Sequence, residues 1–342
     1  MRLQSEIYDA ELRKIGFEKV TKVPQSGDYK SHRWVGQRLL EFGSMIMKRR
    51  FEVWMWTGVV CMGVFGFSNT HAQSITTSDL SSAFFLTGDG LAYGGAFRAV
   101  ADTAQATLYN PAGIAQQEGK MLARLDYGNI GGTDSTALGI SLVDFQTSKS
   151  IAYGVSYHRN NPTLGGNQGQ VNQILLSGGK RMGSFMVGAS AKGYWVNLDN
   201  PLLEGPKGVD MDIGFLFQPL PILSVAFTAH NIFRGHSIEE FPFILGGGFS
   251  FRLADEFRVM ADFTKDFQTP NSRSFNSYFG AEFFVSPQFS FRGGYGLDRV
   301  QNNDFYSLGA TAGSEVVKIH FTFSQRVSPK SEIYAGGLEF YF

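Results

Sequence analysis

The sequence predicts an all-β protein, a transmembrane antiparallel β-barrel of about fourteen strands. Three observations carry this prediction. Apolar side chains recur at every second position through successive segments of about ten residues, the period of a strand and not of a helix. Glycine (41 of 342 residues) and phenylalanine (32) are both abundant, while charged residues make up only 18%, against about 25% in an ordinary soluble domain. An apolar leader with a basic start precedes the β region. Lys+Arg and Asp+Glu both number 30, so no global basic field points to nucleic acid. The glycines follow no Gly-X-Y period, which excludes collagen.

The leader comes first. From Met47 the chain reads Lys48-Arg49-Arg50, an apolar run from Val53 to Phe67, and a small-residue end at Thr70-His71-Ala72. Residues 45–73 are expected to be a secretory signal peptide, cleaved after Ala72 or Gln73, because the run is too short to span a bilayer as a helix. Residues 1–44 precede it and are expected to be an over-extended start or a disordered leader. Cys61, the one cysteine, lies within this signal, so the mature chain is expected to have no disulfide, thiolate chemistry or Cys-ligated metal. Removing residues 1–73 leaves 19 basic and 23 acidic residues, a net charge near −4.

Residues 74–118 differ in texture from the rest of the mature chain. Small residues dominate Gly94-Gly95-Ala96-Phe97-Arg98-Ala99-Val100-Ala101-Asp102-Thr103-Ala104, so the segment can pack closely against a wall. Ala101–Leu108 is expected to form a short helix capped near Asp102. Asn110-Pro111 ends it.

Residues 119–342 form the β region, with strands expected to begin near 120, 135, 150, 170, 184, 207, 221, 241, 255, 273, 287, 303, 315 and 332. In one of them Met211, Ile213, Phe215 and Phe217 share one face and Asp210, Asp212 and Gly214 the other. Within a bilayer every backbone polar group must pair inside the protein, so such strands close into a barrel that alternates between lipid and lumen. Gly188, Gly214, Gly246, Gly248 and Gly294 have lumen parity and are expected to leave room in a crowded interior. Arg124, Asp126, Asp210, Asp212, His230, Asp262, Glu282 and Arg292 share that parity, as do His320 and Glu339. They are expected to form a lumenal polar network, since Arg or Lys facing lipid at mid-bilayer costs about 2–4 kcal/mol. The C-terminal strand places Tyr334, Leu338, Phe340 and Phe342 on one face. It resembles the signal read by the outer-membrane barrel assembly machinery, so the expected location is the bacterial outer membrane, in contact with its lipid.

The block Gly94-Gly95-Ala96-Phe97, Asp102, then Tyr109-Asn110-Pro111-Ala112-Gly113 resembles that of the superfamily of FadL-type hydrophobic-compound transporters and PorV/PorQ-like outer-membrane proteins. Thr103 stands where many members have a second acid. The resemblance covers about 74–342 and implies that residues 74–118 fold into the lumen as a plug or hatch. It also implies a channel for hydrophobic molecules, of the long-chain fatty acid kind. Leu91, Tyr93, Phe97, Leu108 and Tyr109 are then candidate ligand contacts, with packing of the plug against the wall as the plainer reading. The alternative is a PorV-like secretion or assembly scaffold that conducts nothing and whose partners are secretion-system proteins. Short expected loops near 160–169, 197–208, 234–240 and 266–273 favour transport. His158, His230, His236 and His320 are scattered with no catalytic or metal-ligand spacing, so neither an enzyme, a metal site nor a cofactor is expected.

Overall fold

The computed structural model describes residues 88–116, 119–130, 135–148, 150–161, 163–164, 167–199, 205–233, 242–267, 274–300, 302, 304–327 and 330–342. The leader, the signal peptide and the first part of the expected plug lie outside these residues.

The β region folds into strands β1 (Met121–Ile130), β2 (Thr136–Asp144), β3 (Ala152–Asn160), β4 (Thr163–Leu164), β5 (Asn167–Met182), β6 (Phe185–Leu198), β7 (Lys207–Leu220) and β8 (Leu223–His230). They continue as β9 (Ile244–Ala254), β10 (Phe257–Asp266), β11 (Phe275–Ser286), β12 (Phe289–Leu297), β13 (Phe305–Gly313), β14 (Val317–Arg326) and β15 (Ser331–Tyr341). Each barrel strand pairs with its neighbours in sequence. β4 is a two-residue ladder on the start of β5, and β3 pairs directly with β5. The sheet closes where β1 meets β15 antiparallel, with Leu122 opposite Tyr341 and Ile130 opposite Ile333. Fourteen strands therefore make a closed up-and-down barrel, as the periodicity predicts, and closure leaves no unpaired edge in the wall.

Alternation sets the two faces. In β7, Val209 and Phe215 are exposed while Gly208, Asp210, Asp212, Gly214 and Leu216 are buried. In β14, Ile319 and Phe321 point out while His320, Thr322 and Ser324 point in. The outer face carries Phe227, Phe249, Phe279, Phe283 and Phe291, all exposed. An apolar belt of this extent has no aqueous use and fits lipid. Two-residue turns join β5 to β6, β7 to β8, β9 to β10 and β11 to β12, and the β1 and β15 ends lie at this short-turn rim. Longer connections follow β6, β8 and β10 at the opposite rim.

Residues 88–116 fill the lumen. They contain α1 (Asp89–Ala92), α2 (Ala106–Tyr109) and a 3-10 turn over Pro111–Gln116. The helix expected over Ala101–Leu108 is confined to α2. Ala101 adopts φ 33°, a left-handed conformation costly for a residue with a Cβ, so no helix can begin there. Gln105, not Asp102, precedes α2. The Gln116 side chain clamps the bend, its amide donating to the Val100 and Ala101 carbonyls at 2.7 and 3.0 Å.

Candidate functional site

The plug sits on a floor of glycines. A Cβ on Gly188 would lie 2.4 Å from the Pro111 carbonyl, one on Gly214 2.0 Å from Asn110 Oδ1, and one on Gly294 2.3 Å from the Gly94 nitrogen. Gly94 and Gly95 have φ +64° and +93°, so this pair supplies both the turn and the close backbone approach that other residues resist. Gly188, Gly214 and Gly294 are thus contact points for plug backbone, whereas Gly246 faces the Arg98 and Thr228 side chains and Gly248 makes room for Asp262.

Side chains fasten what the glycines admit. The Asp89 carboxylate accepts from Arg124 Nη1 at 2.6 Å and from Arg292, and lies 3.1 Å from His320 Nδ1. Its backbone N–H donates to Gln105 Oε1 at 2.8 Å. Arg124 also bonds Asp126 through Nε at 3.0 Å and Glu339 through Nη1 at 3.0 Å, and is 1% exposed. Burial alone would raise the Asp89 pKa, but Arg124, His320 and Arg292 outweigh it and hold the group well below the usual carboxylate range. A depressed folded pKa adds stability above the unfolded value and loses it only as pH falls through the folded one. Through Asp89, docking therefore persists down to about pH 4.

A second cluster surrounds Tyr93. Its hydroxyl donates to Glu282 Oε2 at 2.9 Å, Glu282 also pairs with Arg258 and with Arg292 Nε, and the Arg292 guanidinium stacks 4.9 Å from the Tyr93 ring centroid. Arg258 reaches back to Asp102 at 3.1 Å. A third cluster holds the Gly-Gly block: Phe97 and Arg98 backbone N–H groups donate to Asp262 Oδ2 at 2.9 and 2.8 Å, and Arg98 Nε donates to Thr228 Oγ1 at 3.3 Å. Asn110 amide hydrogens go to the Arg98 and Phe215 carbonyls, and its Oδ1 accepts from Ala112 N.

The structure separates the sequence-derived residues. Arg124, Asp126, Asp262, Glu282 and Arg292 lie against the plug. Asp210, Asp212 and His230 lie together on another arc: Asp212 accepts from Lys192 at 2.7 and 2.9 Å, sits 3.3 Å from His230, and with Asp210 receives the backbone N–H groups of Asn231 and Phe233. Those contacts tie wall to loop, not wall to plug. Of the apolar candidates, Tyr93, Phe97, Leu108 and Tyr109 pack in one cluster with Leu175 and Met260, Tyr93 stacking on Phe97 and Phe97 meeting Tyr109 edge-on. Leu91 packs apart, with Ala137 and Ile333. Tyr334 and Leu338 face outward on β15, and Phe342 is exposed.

Asp89, Arg98, Lys192 and Arg258 were not singled out from sequence. Arg258 and Lys192 share the lumen parity of Asp262 and Ser190, which is the signal that marks them. Asp89, His320 and Glu339 bring three ligand atoms within 4.8 Å, but Arg124 and Arg292 already occupy the same carboxylates, so added cationic charge is opposed. Beneath the plug, toward the short-turn rim, a polar cavity of about 210 Å³ is lined by Asp102, Lys120, Arg258, Arg292 and Lys318 among others.

No protein-family model and no curated protein matches the sequence. Solved structures do. The chain is similar to the Ralstonia pickettii toluene transporter TbuX (16% identity, 74% of this chain and 96% of that one, TM-score 0.55). It is also similar to the Pseudomonas putida toluene transporter TodX (10%, 80% and 99%, TM-score 0.54) and to a Pseudomonas aeruginosa FadL homologue (11%, 80% and 98%, TM-score 0.51). At these identities the likeness shows the fold alone: the chain has the closed β-barrel architecture of these transporters.

Proposed function

We propose that the protein is an outer-membrane channel for hydrophobic compounds in which residues 88–116 act as a movable hatch. The observation that carries this reading is how the plug is held. Among the described residues, no backbone–backbone hydrogen bond joins 88–116 to a barrel strand. Every polar link to the wall uses a side chain on at least one partner, so the plug is tightly seated yet can be released without opening a β-ladder. A permanently structural filling has no need of that arrangement, and a general diffusion pore has no need of a filling.

The short-turn rim is assigned to the periplasm by the general rule for such barrels. The Tyr93, Phe97, Leu108 and Tyr109 cluster offers apolar surface to a molecule entering beside the hatch. Tyr334, Leu338, Phe340 and Phe342 are assigned to recognition by the barrel assembly machinery. Fatty-acid specificity is not part of this reading.

Uptake by cells that carry or lack the protein tests it. Loss of uptake of a hydrophobic probe on deletion is the expected result. Unchanged uptake with lost surface display of other proteins would support the scaffold reading and overturn this one.

A further inference from the structure

On the arc formed by β2, β3 and β5, the lumen wall carries a patch of uncharged hydrogen-bonding groups with unspent capacity. Ser141 Oγ, Ser156 Oγ, His158 Nε2, Asn160 Nδ2 and Gln173 Oε1 are buried and have no hydrogen-bond partner in the protein, and each residue is at most 3% exposed. Strand register makes them neighbours: Ser141 is opposite Ser156 across β2 and β3, and His158 is opposite Gln173 across β3 and β5. Buried polar atoms ordinarily find partners, and leaving one unsatisfied costs about 1–3 kcal/mol. Five on one arc point to a ligand that supplies the missing bonds.

The same register places Leu175 beside this patch, opposite Ser156, and Leu175 belongs to the plug's Tyr109 and Leu108 cluster. Polar and apolar surfaces therefore adjoin. Charge settles which polar end fits. Opposite Leu175 stands Lys192, whose ammonium is already spent on both oxygens of Asp212. Arg124 is enclosed by Asp89, Asp126 and Glu339. Asp126 borders the patch, its Cβ 3.4 Å from where a Cβ on Gly139 would stand, and Gly139 is opposite His158. Arg124 Nη2, opposite Ser141, has no hydrogen-bond partner but lies 3.0 Å from Asp126 Oδ1, so a carboxylate here would meet Asp89, Asp126 and Glu339 against one guanidinium.

We propose that this patch binds the uncharged polar end of an amphiphile such as an alcohol, so the channel favours neutral amphiphiles over fatty-acid anions. The inference rests on the channel reading and adds the substrate class. A site built to hydrogen-bond a hydroxyl discriminates against an analogue lacking it, because its own groups are then left unpaired.

The test uses cells expressing the full chain and the initial uptake of three probes of equal length: octan-1-ol, octane and octanoate. The expected order places octan-1-ol first and octanoate at least about tenfold behind. Gln173→Leu should lower the octan-1-ol to octane ratio about fivefold, the loss of one ordinary hydrogen bond. Ser156→Ala, which removes only a hydroxyl, should shift the same ratio in the same direction and serves should Gln173→Leu fail to assemble. Octanoate carried as fast as octan-1-ol overturns the inference and leaves the channel intact. So does a ratio unchanged in assembled variants, the result expected if the patch only holds water. Failure to carry any probe overturns the channel reading itself, and this inference with it.

Discussion

Wall and plug are held by opposite means. The wall is a continuous ladder in which each strand pairs with two neighbours and the last closes on the first; its outward side chains meet lipid and its inward ones supply partners for the plug. The plug has no ladder to the wall among the described residues and relies on Asp89, Tyr93, Arg98 and Asn110 meeting particular partners. A backbone ladder spreads its stability over many equivalent bonds. A side-chain clamp concentrates it in a few, so single substitutions should release the plug from a barrel that still stands.

The largest expected effect breaks the clamp at its centre. Arg124→Ala leaves Asp89, Asp126 and Glu339 buried without their common partner, and removing one member of a buried ion pair costs about 3–5 kcal/mol. The expected result is a plug cut by protease in a barrel that keeps its heat-modifiable gel mobility. Barrel and plug lost together would mean the two are one cooperative unit.

Phe279→Arg attacks the wall instead. Phe279 is exposed on β11, and an arginine facing lipid near mid-bilayer costs about 2–4 kcal/mol. Denaturant unfolding in lipid should register the loss, while protease resistance of the plug in the assembled fraction should not change. Gly294→Ala targets the seam. The added methyl would overlap the Tyr93 and Gly94 backbone, overpacking of about 1–3 kcal/mol, read as partial protease sensitivity of the plug. The smallest effect belongs to Asp102→Ala. Its carboxylate is 37% exposed beside Arg258, and pairs open to solvent contribute about 0–1 kcal/mol, so protease resistance should stay close to that of the parent.

The same contrast explains what could be read from the chain. Strand positions were legible because lipid and lumen impose a strict period of two: starts expected near 184 and 207 fall at Phe185 and Lys207, and that near 287 at Phe289. Parity also marked Arg124, Glu282 and Arg292 as inward. Pairing was not legible. That Lys192 meets Asp212 depends on the register of β6 on β7, and that Asp262 caps the Phe97 and Arg98 amides depends on a fold-back 165 residues away. The plug has no periodicity to betray it, and the bend at Ala101 defeats its local helix propensity because Gln116 holds the backbone there. The lumenal glycines were legible as small, but not as seats for Pro111 and Gly94.

The claim that passage requires the plug to move is tested most directly by locking it. A Cβ on Gly154 would lie 2.9 Å from Thr107 Cγ2, so the two positions are in contact across the seam and a cysteine at each is the lock to try. Cys61, in the leader, is the chain's one cysteine. In cells carrying Thr107→Cys with Gly154→Cys, uptake of octan-1-ol and octane should fall to background under oxidation and return on reduction. Uptake that continues unchanged with the disulfide demonstrably formed would contradict the account.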